Sequence, residues 1–295
     1  LLLKKQKIIL GYRQLDIITT SAKMAEYIIN LKKQKCKISY VPTMGDLHDG
    51  HISLIQSAKK EKSKTIVSIF VNPLQFNDKS DYENYPVTTE KDLEKLIVNN
   101  VDCLFLPAKN NILDNLEEYK INKLPDFLNC LCGKFRPNHF EGVYSIVRKL
   151  FDLVNPDYVY FGEKDYQQAL LIKHIIKNSY NNKINLIICE TIRDEFGLAM
   201  SSRNNRLSNQ QKKIASNIIK ELMKIRTKIH NEGVSLFNDL RKEAIKVLEE
   251  FGMRVEYLEL LTSEKLDKSE DKNNNYMIFI AVYLSDVRLI DNLKI

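Results

Sequence analysis

Two histidines, His48 and His51, stand three residues apart in the run Val41-Pro42-Thr43-Met44-Gly45-Asp46-Leu47-His48-Asp49-Gly50-His51-Ile52. That spacing puts both imidazoles on one side of a helical first turn. A short β-rich run, Lys37 to Val41, precedes them and ends at Pro42. Ile52, Ile55 and Ala58 follow at helical spacing. The segment therefore reads as strand, glycine turn, helix. At the carboxyl end of a strand in a doubly wound sheet, the free N–H groups and dipole of the next helix favour phosphate. Gly45 lets the backbone approach a nucleotide closely. Two imidazoles there can donate to triphosphate oxygens and stabilise the charge that builds during transfer. A chance pair is the bland alternative, but two of only five histidines in one turn argue against it. A zinc pair is the other, and no Cys, His or Glu stands at a convincing third-ligand spacing.

The flanking elements set the fold. Thr65 to Val71 is a β-branched and aromatic run stopped by Asn72-Pro73. Thr89 to Val98 has Leu93, Leu96 and Ile97 on one helical face. Asp102 to Leu106 is a strand stopped by Pro107. Val143, Val147, Leu150, Phe151 and Val154 mark an amphipathic helix that ends at Asn155-Pro156. Tyr158 to Phe161 is a strand, Gln167 to Lys177 a helix and Ile184 to Cys189 a strand. Helices alternating with nearly all-apolar strands mean a parallel sheet covered on both faces. The pattern changes near Thr191. Ser208-Asn209-Gln210-Gln211 is a capping box that opens one long helix through Ile214, Ile218 and Leu222. A second helix runs from Leu236 to Phe251. Arg254 to Leu261, Tyr276 to Tyr283 and Val287 to Ile290 are strands, with a charged, Asn-rich loop over Ser263 to Asn275. The expected class is α/β: a Rossmann-like doubly wound parallel sheet over residues 1–191, with a smaller α+β domain over 192–295.

Composition narrows the function. The chain has 295 residues, 44% hydrophobic and 28% charged, which suits about two globular domains. The net charge is +7, yet only 10 of the 45 cations are Arg and the Lys are spread along the chain. A nucleic-acid reader clusters such residues on one element, so a solvated Lys-rich surface or a phosphate-bearing small ligand fits better. Cys36, Cys103, Cys130, Cys132 and Cys189 form an odd set without C-x-x-C. This suits free thiols in a reducing compartment. No apolar run approaches the ~18 residues of a membrane helix. Leu1-Leu2-Leu3-Lys4-Lys5 is too broken by Lys for a signal segment, and the absence of an initial Met is the pattern of a fragment or processed form. The expected setting is cytoplasmic, or an organelle's stroma or matrix.

The histidine run resembles the HIGH-type motif of the nucleotidylyltransferase superfamily, and more closely that of the pantothenate synthetase (pantoate–beta-alanine ligase) family. Four further blocks follow in the family's order. They are Phe70-Val71-Asn72-Pro73-Leu74-Gln75-Phe76 with Tyr85-Pro86 after it, Phe135-Arg136-Pro137-Asn138-His139-Phe140-Glu141-Gly142-Val143, Phe161-Gly162-Glu163-Lys164-Asp165-Tyr166-Gln167-Gln168, and Gly197-Leu198-Ala199-Met200-Ser201-Ser202-Arg203. Five blocks over residues 41–204 are far more specific than one. Three positions depart from the pattern: Asn138 for a usual Gly, Val87 for a usual Arg, and Phe196 for a usual Asp. None removes a residue assigned to chemistry.

The resemblance implies two steps: ATP and pantoate give an enzyme-bound pantoyl adenylate and pyrophosphate, and beta-alanine then displaces AMP. The substrate carboxylate attacks the α-phosphate, so no protein nucleophile is required. It implies His48, His51 and Lys164 as the catalytic groups. ATP would be bound by Met44, Gly45, His48, His51, Gly162, Glu163, Lys164, Asp165, Ile192, Met200, Ser201, Ser202 and Arg203. Gln75 and Gln168 would hold pantoate, and Gln75 with Asn72 beta-alanine. Without the family, both Gln read as ordinary loop residues; Lys164 has the bland alternative of one surface Lys among 35, but its place in Gly162-Glu163-Lys164-Asp165 at a strand's carboxyl end favours a functional reading. Asp92 is a weak candidate for a Mg²⁺ accompanying the ATP phosphates; on sequence alone a solvated helix carboxylate is the simpler reading. The smaller domain would lid the site, and the family's homodimer carries over as an expectation. The rival enzyme is another HIGH-superfamily nucleotidyltransferase with a different acceptor.

Overall fold

The computed structural model describes residues 14–269 and 275–295. The Leu1–Lys5 start and residues 270–274 of the Asn-rich loop lie outside the described residues. The strands are β1 (Asp16–Ile18), β2 (Lys37–Thr43), β3 (Ser63–Ile69), β4 (Cys103–Phe105), β5 (Tyr158–Gly162), β6 (Asn185–Cys189), β7 (Met253–Thr262), β8 (Tyr276–Leu284) and β9 (Val287–Lys294). The helices are α1 (Ser21–Lys33), α2 (Asp49–Ala58), α3 (Lys79–Glu83), α4 (Thr89–Val98), α5 (Lys109–Leu113), α6 (Leu131–Phe135), α7 (His139–Val154), α8 (Tyr166–Tyr180), α9 (Asn209–Ala215), α10 (Asn217–Glu232) and α11 (Phe237–Glu250).

Six strands form one sheet in the order β1-β4-β3-β2-β5-β6, with parallel register at β1–β4, β4–β3, β3–β2 and β2–β5. From β2 the chain steps outward to β3 and β4, then returns to β5 on the other side of β2. The switch point thus falls between β2 and β5, where ligands of open α/β sheets bind at the carboxyl edge. Asp157 fixes this junction. Its carboxylate accepts from Lys32 Nζ, Lys37 Nζ and Ile38 N–H, each at 2.9 Å. Burial alone would raise the Asp157 carboxyl; those hydrogen bonds outweigh it and hold it below the usual carboxylate range. Val41, Ile55, Val67, Leu96 and Leu104 are buried in the core beneath the sheet.

A second sheet, β7-β8-β9, is an antiparallel meander. Its apolar face packs with α10 and α11 through Leu222, Leu248, Leu258, Ile278 and Val282. The chain divides into two compact units. The first holds the chain up to Asn122, Asn138–Phe161 and Ile172–Cys189. The second holds Lys123–Pro137, Gly162–Leu171 and Glu190–Ile295. Among the described residues no helix is long and apolar enough to cross a membrane. All five cysteines are free, and Cys103 is buried.

Two local expectations need correction. β2 does not stop at Pro42 but runs to Thr43. Thr43 presents its carbonyl to Phe70 N–H at 3.0 Å, on the β3 side. Pro42 therefore faces the β5 side, where the register runs through Ser39↔Tyr158 and Tyr40↔Val159 only, and its missing N–H breaks no ladder bond. The helix opened by the Ser208 capping box is not continuous. Ser216 Oγ donates to Lys213 O at 2.7 Å and Asn217 Nδ2 to Ile214 O at 2.9 Å, and this side-chain competition for backbone carbonyls divides α9 from α10. Finally, β1 and α1 lie in a stretch the sequence reading left blank. β1 is only three residues long and exists through its pairing with β4.

Candidate active site

The loop after β2 is built backwards from its backbone. Gly45 has φ +86° and Asp46 φ +47°, so two successive residues turn through the left-handed region. Gly45 has a second constraint. A Cβ there would lie 3.0 Å from Ile69 Cγ2 and 3.3 Å from Asp92 Oδ2. Asp92 reaches in from α4 and holds the turn. Its Oδ2 accepts from Asp46 N–H at 3.0 Å and its Oδ1 from Leu47 N–H at 2.8 Å. Thr88 Oγ1 adds contacts of 3.2 Å to Asp92 Oδ1 and 3.3 Å to Asp46 Oδ1, and Lys95 Nζ donates to Leu47 O. Asp92 is 1% exposed, so it is not the solvated helix carboxylate that the sequence suggested.

The loop delivers His48 as the residue capping α2. His48 N–H donates to His51 Nδ1 at 3.3 Å, and the two rings lie 4.0 Å apart between centroids, tilted by 33°. The helix starts with its imidazoles stacked together, half-buried, beside the N–H groups of its first turn.

Gln75 joins this group from the loop after β3, with its Nε2 2.8 Å from Met44 Sδ. Its 3₁₀ turn, Pro73–Gln75, is capped by Asn72, whose Oδ1 accepts from Leu74 N–H at 3.0 Å. Asn72 Nδ2 donates to Gln75 Oε1 and Gly142 O, both at 3.2 Å. Asn72 is 3% exposed and spends its amide on protein partners. His139 Nδ1 lies 2.8 Å from Gln75 O, and because a carbonyl only accepts, Nδ1 carries the proton. A Cβ at Gly142 would come within 2.6 Å of Leu74 O, so glycine is needed for α7 to approach this turn. His139 and Gly142 stand in the Phe135–Val143 block without a role that the sequence alone assigns. Their signal was the block itself, placed at the start of a strongly amphipathic helix.

In the second unit β5 ends at Gly162 and runs into the 3₁₀ turn Glu163–Asp165 and α8. Lys164 is half-buried, with Nζ 4.0 Å from Asp165 Oδ2. Glu163 pairs with Lys294, and that hydrogen bond, against some burial, raises the Lys294 ammonium above its ordinary value. Gln168 is half-buried, while its neighbour Gln167 is buried and donates to Phe127 O at 3.0 Å and Cys130 O at 2.9 Å.

Met200–Arg203 leave a small hairpin. Met200 N–H donates to Ile192 O at 2.9 Å, and Asp194 Oδ1 accepts from Phe196 N–H and Leu198 N–H, both at 2.9 Å. Gly197 turns at φ +85°. Ser201 Oγ accepts from Arg203 N–H at 3.3 Å. Of the three departures, Asn138 takes φ +62°, Val87 is 76% exposed, and Phe196 sits under Lys213 Nζ at 5.9 Å from its ring centre.

Met44, Gly45, His48, His51, Asn72, Gln75 and Asp92 thus meet on the first unit. Gly162, Glu163, Lys164, Asp165, Gln168, Ile192 and Met200–Arg203 lie on the second.

A parallel sheet with a switch point between β2 and β5, whose β2 strand ends in a left-handed glycine turn and a histidine pair, places the protein in the doubly wound α/β class. The sequence profile of the pantoate-beta-alanine ligase family matches residues 16–294. The pantothenate synthetase of Sulfurihydrogenibium sp. (strain YO3AOP1) is 38% identical over 283 residues, covering 95% of this chain and all of that protein. The crystal structure of the Thermus thermophilus pantothenate synthetase aligns with a TM-score of 0.87 at 32% identity, over 95% of this chain and 99% of that one. The pantoate-beta-alanine ligase of Francisella tularensis, solved in complex with beta-gamma ATP and beta-alanine, aligns with a TM-score of 0.77 at 37% identity, over 95% and 98%. The chain belongs to the pantoate–beta-alanine ligase, or pantothenate synthetase, family.

Proposed function

We propose that this protein joins pantoate to beta-alanine at the expense of ATP, releasing AMP and pyrophosphate. The pantoate carboxylate attacks the α-phosphorus, the bond to the bridging β-oxygen breaks, and pyrophosphate leaves with that electron pair. The beta-alanine amine then adds to the acyl carbon, loses a proton, and expels AMP. Besides family membership, the observation that carries this reading is the turn at Gly45–Leu47. A left-handed backbone, held from beneath by Asp92, delivers two stacked imidazoles at the carboxyl end of a switch-point strand.

His48 and His51 donate to phosphate oxygens, and Lys164 and Arg203 add fixed positive charge as charge shifts toward pyrophosphate. Met44, Gly45, Gly162, Glu163, Asp165, Ile192, Met200, Ser201 and Ser202 complete the nucleotide contacts. Gln75 and Gln168 hold pantoate through neutral donors and acceptors. For beta-alanine the polar group is Gln75. Asn72 serves it by fixing Gln75 Oε1, since its own amide is committed.

Mg²⁺ enters with the nucleotide. Among the described residues no group of three acidic, His or Cys side chains gathers as a cage, and both Asp92 oxygens accept backbone N–H groups. That donor set suits an ion that keeps its waters and is bound through the triphosphate. Five free cysteines support a reducing, cytoplasmic setting. A homodimer completes the reading, and light scattering checks it. The test of function is AMP release that needs ATP, pantoate and beta-alanine together. AMP release at the full rate with an unrelated acid replacing pantoate would instead support a different acceptor.

A further inference from the structure

The last strand carries polar side chains that its sheet does not need. β9 pairs with β8 through its backbone, from Met277↔Lys294 to Leu284↔Val287. Yet Asp291 is 3% and Asn292 4% exposed. Burying an amide and a carboxylate is costly unless each finds partners. Here the partners lie on the two loops assigned above to the nucleotide. Asn292 Nδ2 donates to Glu163 O and to Lys164 O, each at 2.8 Å. Asp291 grips Arg193 with two hydrogen bonds, 2.6 Å from Nη1 to Oδ2 and 3.0 Å from Nη2 to Oδ1. Arg193 Nη1 in turn donates to Gly197 O at 3.1 Å, inside the hairpin that leads to Met200. Asn292 N–H closes on Asp291 Oδ1 at 2.8 Å, so the two grips are one network. Two residues on, Lys294 pairs with the Glu163 carboxylate.

An Asn amide nitrogen carries two hydrogens. Both are used on successive carbonyls, which fixes two peptide planes in a row and with them the direction in which Lys164 leaves the backbone. A lysine side chain is flexible, so where its root points decides where its charge is spent. We propose that Asn292 is a positioning residue for Lys164, and that the Asp291–Arg193 pair does the same for the Met200–Arg203 loop. The proposal rests on the reading of Lys164 as a phosphate contact.

A double-mutant cycle on the full chain tests it. Pantoate-driven exchange of labelled pyrophosphate into ATP is measured for wild type, Asn292→Ala, Lys164→Ala and the double variant, with a melting temperature for each. Residues acting through one another lose less together than the product of their separate losses. We expect each single variant to lose about tenfold or more, and the double to lose little beyond Lys164→Ala. Asn292→Asp, of the same shape but turning an acceptor toward two carbonyls, should behave like Asn292→Ala. If the Asn292 variants do not fold, the exposed Lys294→Ala loosens the same turn through Glu163, with a few-fold loss that vanishes in the Lys164→Ala background. A folded Asn292 variant with wild-type exchange, or losses that multiply, would overturn the proposal. Wild-type exchange in Lys164→Ala would instead overturn the Lys164 reading beneath it.

Discussion

The loop after β2 and the turn after β5 are held by opposite chemistry. Asp92 accepts from two successive N–H groups, Asp46 and Leu47; Asn292 donates to two successive carbonyls, Glu163 and Lys164. Both are buried, and both come from far along the chain. The first loop therefore spends two N–H groups on its anchor. The second spends carbonyls. The two anchors have the same heavy-atom shape, but neither can replace the other. An amide at 92 would face one N–H with its own NH₂ in either flip, and a carboxylate at 292 would face two carbonyls.

Five substitutions break or sharpen that contrast, from the largest effect to the smallest. Removing what the first loop delivers should cost most. His48→Ala and His51→Ala should each slow adenylate formation by about a hundred- to a thousandfold, the range for one lost donor to developing charge. Melting curves should show the fold intact, and normal turnover in either folded variant would break the assignment.

Asp92→Asn strikes the anchor instead. One unsatisfied backbone N–H should lower stability by roughly 1–3 kcal/mol and loosen the His48 root. Denaturant midpoints read the first effect and the KM for ATP the second. The Mg²⁺ concentration for half-maximal rate should stay put, because both carboxylate oxygens are engaged by backbone N–H groups of the loop.

Gln168→Ala should raise the KM for pantoate by at least about tenfold while ATP binding changes little, since truncation leaves a polar substrate group unpaired. Steady-state kinetics with each substrate varied separately checks this. An equal rise for both substrates would count against the assignment.

The smallest effect is at the strand junction. Asp157 has its carboxyl held below the usual range in the folded state. Its contribution is therefore complete above its unfolded value, near 3.9, and is lost as pH falls through the lower folded one. Asp157→Asn should thus melt earlier than wild type at pH 7, with the gap closing in acid below about pH 4. A gap that widens in acid would reverse the sign.

From β2 onward the order of strands and longer helices was legible because apolar runs and Asn-Pro or Pro stops mark element ends. Thr89–Val98 and the Asn155-Pro156 stop are examples. The chemistry-bearing loops were legible as motifs. What stayed hidden were the anchors. Asp92 looked like a surface carboxylate on an amphipathic helix, and nothing local says that its partners are 45 and 46 residues earlier. Asn292 sits in an ordinary strand 128 residues from Lys164. Such pairings are properties of the folded topology, and a one-dimensional pattern of periods and caps does not contain them. The break at Ser216 hid for another reason: two polar side chains, Ser216 and Asn217, interrupt a helix whose apolar period continues across them.

The central claim is that fixed cations and donors on rigid loops activate pantoate as an adenylate, with no acyl group on the protein. Labelled pyrophosphate should therefore exchange into ATP when pantoate and Mg²⁺ are present and beta-alanine is absent. The exchange should stop when pantoate is omitted and fall sharply in Lys164→Ala. Exchange that requires beta-alanine, or a pantoyl group recovered covalently on the protein, would contradict the account.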